Sequence, residues 1–160
     1  MANYCQFEIT FNTDAHDKTI LDAFCELSIP VFKKLCEKST VNPATVHPVP
    51  RTSLDDPFTI YGECKWTVQP ALKVCEEFLK VTQTDSAEIV WSELGCEGLG
   101  VINVYLEDDG AVSHSEVYRT EPPFTISQIK RVLKECPKLE PQLQWYLDDL
   151  EAEAETEADA

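Results

Sequence analysis

Positive charge is scarce in this sequence. The 160-residue chain has 13 lysine and arginine residues against 29 aspartate and glutamate residues, which gives a net charge of −16. Between Lys80 and Arg119 there is no lysine or arginine, whereas eight acidic residues occur there. Because such a balance repels phosphate groups, we do not expect the chain to bind nucleic acid directly.

The sequence also lacks long apolar runs and closely spaced cysteines. No stretch of about 18 apolar residues is present, so we expect no membrane-spanning helix. Residues 1–10 lack the basic and apolar segments of a signal peptide, and we therefore expect a cytoplasmic protein. None of the seven cysteines occurs as CxxC or CxC. This spacing favours reduced thiols in an apolar core over disulfides or a metal site, and no cofactor is expected.

Apolar periodicity predicts the secondary structure. Period-two alternation predicts strands over 4–11, 58–68, 88–94, 99–107 and 111–119. Helical spacing predicts helices over 20–35, with either a kink or a break into two short helices at Pro30, over 70–79, over 126–136 and after Pro141. Asp109-Gly110 indicates a tight turn between the last two strands, and Thr125–Gln128 has a capping-box pattern.

This order predicts an α+β fold, with helices on one face of a largely antiparallel sheet. We expect one domain over 1–147. Residues 148–160 hold seven acidic residues and no basic residue. Because this acidic tail also lacks an apolar stripe, it is predicted to be disordered.

The stretch FTIYGECKWTV, residues 58–68, combines several reactive residue types. We interpret it as a structural strand with Phe58, Ile60, Cys64 and Trp66 on its apolar face, and with Glu63 and Lys65 available for a cross-strand ion pair. The alternative is a small-ligand or enzymatic site near Trp66, Lys65 and Cys64. That alternative requires a concave pocket with converging polar groups.

Two parts of the sequence resemble a known family. Met1, Asn3, Tyr4 and Cys5 at the start, and Gly62, Lys65 and Trp66 in the centre, resemble motifs of YubB-like ferredoxin-fold proteins, which are small mobile-element proteins. The later SELGCEGLG is similar to that family's acidic, glycine-containing hairpin. The resemblance implies a ferredoxin-like, split β-α-β sheet and an origin on a mobile element. It implies no catalytic residues.

The acidic strands suggest the main functional hypothesis. No catalytic motif is present, so we do not expect an enzyme. Carboxylates held on a hairpin can imitate the phosphates of nucleic acid and occupy the basic groove of a host nucleic-acid-binding protein, as in anti-CRISPR or anti-restriction inhibition. The predicted partner-binding residues are Glu93, Glu97, Glu107, Asp108, Asp109 and Glu116, with Trp91 and Tyr105 as aromatic anchors.

Overall fold

A computed structural model describes residues 4–12, 18–49, 57–93, 98–120, 124–135 and 137–159. The strands are β1 (Tyr4–Asn12), β2 (His47–Pro48), β3 (Phe58–Lys65), β4 (Ser86–Glu93), β5 (Gly98–Leu106) and β6 (Val112–Thr120). The helices are α1 (Lys18–Cys36), α2 (Gln69–Thr82), α3 (Ile126–Glu135) and α4 (Glu140–Ala158). The structure confirms an α+β fold with an antiparallel sheet. Within the described ranges, no helix is long and apolar enough to cross a membrane.

The six strands form one sheet in the order β2-β3-β1-β4-β5-β6, and every neighbouring pair is antiparallel. Strands β3 and β4 both pair with β1, so they run parallel to each other and are separated by one strand. Helix α2 connects them, which makes a split β-α-β unit. The expected ferredoxin-like topology is not confirmed: α1 is followed by β2 and β3, of which β3 pairs directly with β1 in the antiparallel sense, and β4, β5 and β6 form a meander.

The core lies between one face of the sheet and helices α1 and α2. Alternation along β1 points Phe7, Ile9 and Phe11 to this face, and all three are buried. Phe11 contacts Phe32 of α1 and Phe78 of α2, with ring centroids 6.5 and 4.7 Å apart. Aromatic contacts of this kind therefore join both helices to the central strand.

Helix α2 has a clear start and end in the sequence. Pro70 lies in the first turn, where its missing N–H costs no hydrogen bond. Gln83 follows the last turn in the left-handed conformation, and its N–H donates to the carbonyl of Leu79. The apolar stripe of the helix is buried against the sheet and α1: Ala71, Leu72, Val74, Cys75, Phe78 and Leu79.

The chain divides into two units, residues 1–120 and 121–160, which differs from the predicted division at 147. In the second unit the capping box is confirmed, since the N–H of Gln128 donates to Thr125 Oγ1 at 3.2 Å and the N–H of Thr125 donates to Gln128 Oε1 at 2.9 Å. Residues 148–158, predicted to be disordered, continue α4. Lys130 of α3 forms an ion pair with Glu151 of α4 at 2.8 Å.

Candidate ligand-binding site

The β5–β6 turn holds three of the predicted partner-binding carboxylates. Glu107, Asp108 and Asp109 are all exposed in this segment, residues 107–111, which we call the acidic turn. Two of the three carboxylates accept hydrogen bonds: Asp109 from the N–H of Ala111 at 2.9 Å, and Glu107 from the hydroxyl of Ser113 in β6 at 2.6 Å. The acidic turn is thus an ordered group of exposed carboxylates.

Two other residues that were predicted to bind a partner are buried. Trp91 is 2% exposed and Glu93 is 3% exposed. Alternation along β4 places both side chains on one face, and Trp91 belongs to the core between sheet and helices. Neither residue therefore offers a contact surface to a partner, which corrects the prediction for both. Glu97 lies outside the described residues.

Glu116 and Tyr105 are exposed on opposite faces of the sheet. Glu116 pairs with Ile102, whose side chain faces the helices, whereas Tyr105 is three residues further along β5 and faces away from them. Glu116 also forms an ion pair with Arg119 at 3.5 Å. The predicted set consequently does not form one continuous acidic surface within the described part of the chain.

A cavity of about 750 Å³ lies at the other end of the sheet, beside the start of α2. Three lysines from three elements line it: Lys38 after α1, Lys65 at the end of β3 and Lys73 in α2. We call it the lysine cavity. Its remaining lining residues are Leu35, Ser39, Thr40, Trp66, Thr67, Gln69, Pro70, Val74 and Glu77.

Trp66 is the large aromatic residue of this lining. The predicted strand over 58–68 ends at Lys65, and Trp66 has a φ of 70°, which is rare for a residue with a bulky side chain. The backbone therefore turns at this position, and the indole is 52% exposed instead of buried as the alternation predicted. Such a conformation costs about 1–2 kcal/mol, and residues of this kind cluster at functional sites.

Hydrogen bonds around Thr67 hold this turn in place. The Thr67 N–H donates to the carbonyl of Lys65 at 2.9 Å, and the Cys64 thiol donates to the Thr67 carbonyl at 3.0 Å. The Thr67 hydroxyl accepts from the N–H of Gln69 at 3.2 Å, in the first turn of α2. Because these bonds fix the backbone on both sides of Trp66, its ring is presented to the cavity by an ordered segment.

The lining of the lysine cavity has a positive formal charge, whereas the net charge of the whole chain is negative. Among the described residues, Lys38, Lys65 and Lys73 make no ion pair. The one carboxylate of the lining, Glu77, lies 3.5 Å from Lys80. The N-terminus of α2, where the helix dipole is positive, adds to the same field. The cavity is therefore suited to a negatively charged group.

A smaller cavity of about 350 Å³ adjoins the first. It shares Ser39, Thr40 and Lys65 with the lysine cavity, and Cys64 belongs to its lining. The three residues of the predicted alternative, Trp66, Lys65 and Cys64, thus line these two cavities. Sequence reasoning missed Lys38 and Lys73, since no spacing pattern relates them to Lys65 and only the fold brings them together.

The described residues show no metal centre: they contain no group of three or more histidine, cysteine, aspartate or glutamate side chains that could hold an ion. No protein-family model and no curated protein matches the chain. Among solved structures, it is similar to "LarC2, the C-terminal domain of a cyclometallase involved in the synthesis of the NPN cofactor of lactate racemase, apo form". The sequences are 7% identical over 84% of this chain and 88% of that one, with a TM-score of 0.34. The function of that domain is therefore not transferred to this chain.

Proposed function

We propose that the lysine cavity binds a small anionic ligand that carries a flat ring. The observation that supports this is the convergence of three lysines and an exposed tryptophan on one concave site. Its volume of about 750 Å³ is within the range of small-molecule sites, about 300–1,000 Å³. The protein accordingly acts as a ligand-binding module.

The lysines define the charged part of the ligand. Each ammonium group offers three donors and no acceptor, so phosphate or carboxylate oxygens satisfy it. The surrounding hydroxyl and amide side chains, Ser39, Thr40, Thr67 and Gln69, supply further hydrogen bonds. A polyanion such as a nucleic-acid strand is disfavoured, because it must extend beyond the cavity along a chain with a net charge of −16.

Trp66 defines the uncharged part. Its indole is half exposed at the cavity and provides a flat apolar surface on which an aromatic ring can stack. Stacking of a base on an aromatic side chain contributes about 1–3 kcal/mol. A ligand that joins a ring to an anionic group therefore uses both features, whereas either fragment alone uses one.

Calorimetric titration with adenosine monophosphate, adenosine and inorganic phosphate tests this proposal. Adenosine monophosphate should bind more tightly than both fragments. Lys73→Gln should weaken its binding about tenfold, because a charge-assisted hydrogen bond contributes about 1.5–3 kcal/mol. Lys33→Gln is the control, since Lys33 is an exposed lysine of α1 that lies outside the lining. No binding of the nucleotide, or equal losses in both variants, would contradict the proposal.

A second candidate function is the acidic protein-binding module predicted from the sequence. We propose that the acidic turn contacts a basic nucleic-acid-binding protein of a host, in the manner of an anti-CRISPR or anti-restriction inhibitor. The exposure of Glu107, Asp108 and Asp109 supports it. The affinity of the acidic turn for this basic protein should fall steeply as the salt concentration rises.

Affinity capture from a host that has such defences tests the second candidate. The wild type should retain a basic protein that double-stranded DNA displaces. A variant with Glu107→Gln, Asp108→Asn and Asp109→Asn should lose it. Retention of the same protein by both chains, or no displacement by DNA, would argue against this function.

The relation to YubB-like proteins is also a proposal. The split β-α-β unit of β3, α2 and β4 supports it, because the resemblance implied such a unit. An experimental structure of a YubB-like protein should then show a strand inserted between two parallel strands in the same way. A different strand order in that structure would remove the support.

A further inference from the structure

Two cysteines lie directly opposite each other in the sheet. Cys5 of β1 pairs in register with Cys64 of β3, and both are buried, reduced thiols. Directly opposite residues of antiparallel strands have Cα atoms about 4.5–5.5 Å apart. A disulfide requires about 4.4–6.8 Å between the same atoms, so the backbone spacing permits a bond between these two cysteines.

Cys64 differs from other buried cysteines of the chain. The pKa of Cys64 is lowered, and the largest cause is its hydrogen bond with the Cys5 thiol. Burial opposes this shift, whereas the N–H of Ala71, in the first turn of α2, adds to it. By contrast, burial raises the pKa of Cys36 to about 12 and raises that of Cys75 as well. Because the thiolate is the reactive form, we assign the first step to Cys64, which pairs with Cys5 and lines the smaller cavity.

Access to Cys64 is restricted to small molecules. The residue belongs to the lining of the smaller cavity, next to Lys65, but it is only 1% exposed. A disulfide on another protein is too large to reach this sulfur. A hydroperoxide is small enough to enter a cavity of about 350 Å³.

We propose that Cys5 and Cys64 form a dithiol site that hydrogen peroxide oxidises to a disulfide. The Cys64 thiolate attacks one peroxide oxygen, the O–O bond breaks, and hydroxide leaves; Cys64 becomes a sulfenic acid. The Cys5 sulfur then attacks the Cys64 sulfur, its proton completes the departing water, and the S–S bond forms. The proton first released by Cys64 converts the hydroxide to the second water, so one peroxide takes up the two electrons of two thiols.

Peptide mapping of the full chain by mass spectrometry tests this site. The reduced protein is treated with hydrogen peroxide, the remaining thiols are alkylated, and the peptides are separated. A linked peptide that contains Cys5 and Cys64 should appear, with the loss of both alkylation sites, while Cys36 and Cys75 remain alkylated. Dithiothreitol should restore both sites. The expected result does not depend on what occupies the lysine cavity.

Variants separate the two chemical steps. Cys5→Ser should stop the reaction at the sulfenic acid, which dimedone then labels on Cys64. Cys75→Ser, a buried cysteine outside the pair, is the control and should leave the linked peptide unchanged. A Cys36–Cys64 link, or oxidation of Cys64 no faster than that of Cys75 in the wild-type chain, would overturn the proposal.

Discussion

The two ends of the sheet carry opposite charges and differ in shape. The lysine cavity lies where β3 ends, beside the first residues of β1, because Lys65 pairs with Tyr4. The acidic turn follows β5 and lies beside the first residues of β4, because Ser86 pairs with Tyr105. Strand β4 runs antiparallel to β1, so these positions are at opposite ends.

Under the proposed function, net charge is a poor guide to where a small ligand binds. The acidic end agrees with the charge of the whole chain, but its carboxylates lie on a tight exposed turn. The basic end opposes that charge, yet it is concave and includes an aromatic ring. Concavity and local charge together favour the basic end as the ligand site.

Charge reversal at each end should give the largest difference. Lys65→Glu combined with Lys73→Glu should weaken binding of adenosine monophosphate at least about 100-fold, because two charge-assisted contacts are replaced by repulsion. Asp108→Lys at the acidic turn should leave the affinity within about twofold, since the two ends are screened from each other. Calorimetric titration measures both, and similar losses at the two ends would remove the distinction between them.

Replacement of glycine by alanine should lower stability more at Gly62 in β3 than at Gly110 in the acidic turn. In Gly62→Ala the new Cβ would lie 2.5 Å from Cζ of Phe7, which is fully buried. This overpacking should lower the free energy of unfolding by about 1–3 kcal/mol. Gly110→Ala meets open space, and only its φ of 86° opposes the change, so a loss of about 1 kcal/mol is expected. Urea unfolding of both variants measures the difference; a smaller loss for Gly62→Ala would contradict the packing around Phe7.

A change midway between the ends should affect stability without affecting the ligand. Burial raises the pKa of Glu8 above its ordinary value of 4.5. Ionisation of Glu8 therefore opposes folding at pH values above its folded pKa, and this penalty disappears as the pH falls below 4.5. Glu8→Gln should raise the melting temperature at pH 7 and leave it nearly unchanged at pH 4, with unaltered nucleotide binding. A gain at pH 4 equal to that at pH 7 would exclude the ionisation as its cause.

Local sequence patterns predicted much of the fold. Alternation identified β1 and β3 to β6, because one face of each strand packs on a core and the period of two is preserved. The Asp109-Gly110 turn and the Thr125 capping box were also predictable, since their hydrogen bonds involve near neighbours in sequence. The alternative of two short helices at Pro30 was wrong, as α1 continues from Lys18 to Cys36, and a kink at Pro30 stays a prediction.

The wrong predictions at Trp66 and in the acidic tail arose because the pattern of apolar residues does not report the backbone conformation there. Alternation was extended through Trp66, but the positive φ there ends the strand and exposes the ring. The acidic tail was predicted to be disordered for want of an apolar stripe. It is helical because alanine and glutamate favour helix and because the preceding turns of α4 bury Leu143 and Leu147.

The candidate site was only partly predictable. Trp66, Lys65 and Cys64 are close in sequence and were recognised as an alternative site. Lys38 and Lys73 join them only because α1, β3 and α2 meet at one end of the sheet. The acidic surface was predicted from the number of acidic residues along β4. Such a number contains no information about burial, and Glu93 is buried.

The most direct measurement of the central claim is a nuclear magnetic resonance titration of the ¹⁵N-labelled full chain with adenosine monophosphate. The lysine-cavity account predicts amide shifts concentrated in residues 38–40 and 65–74, with the indole N–H of Trp66 among the largest. Shifts centred on the acidic turn, or no shifts at saturating nucleotide, would contradict it.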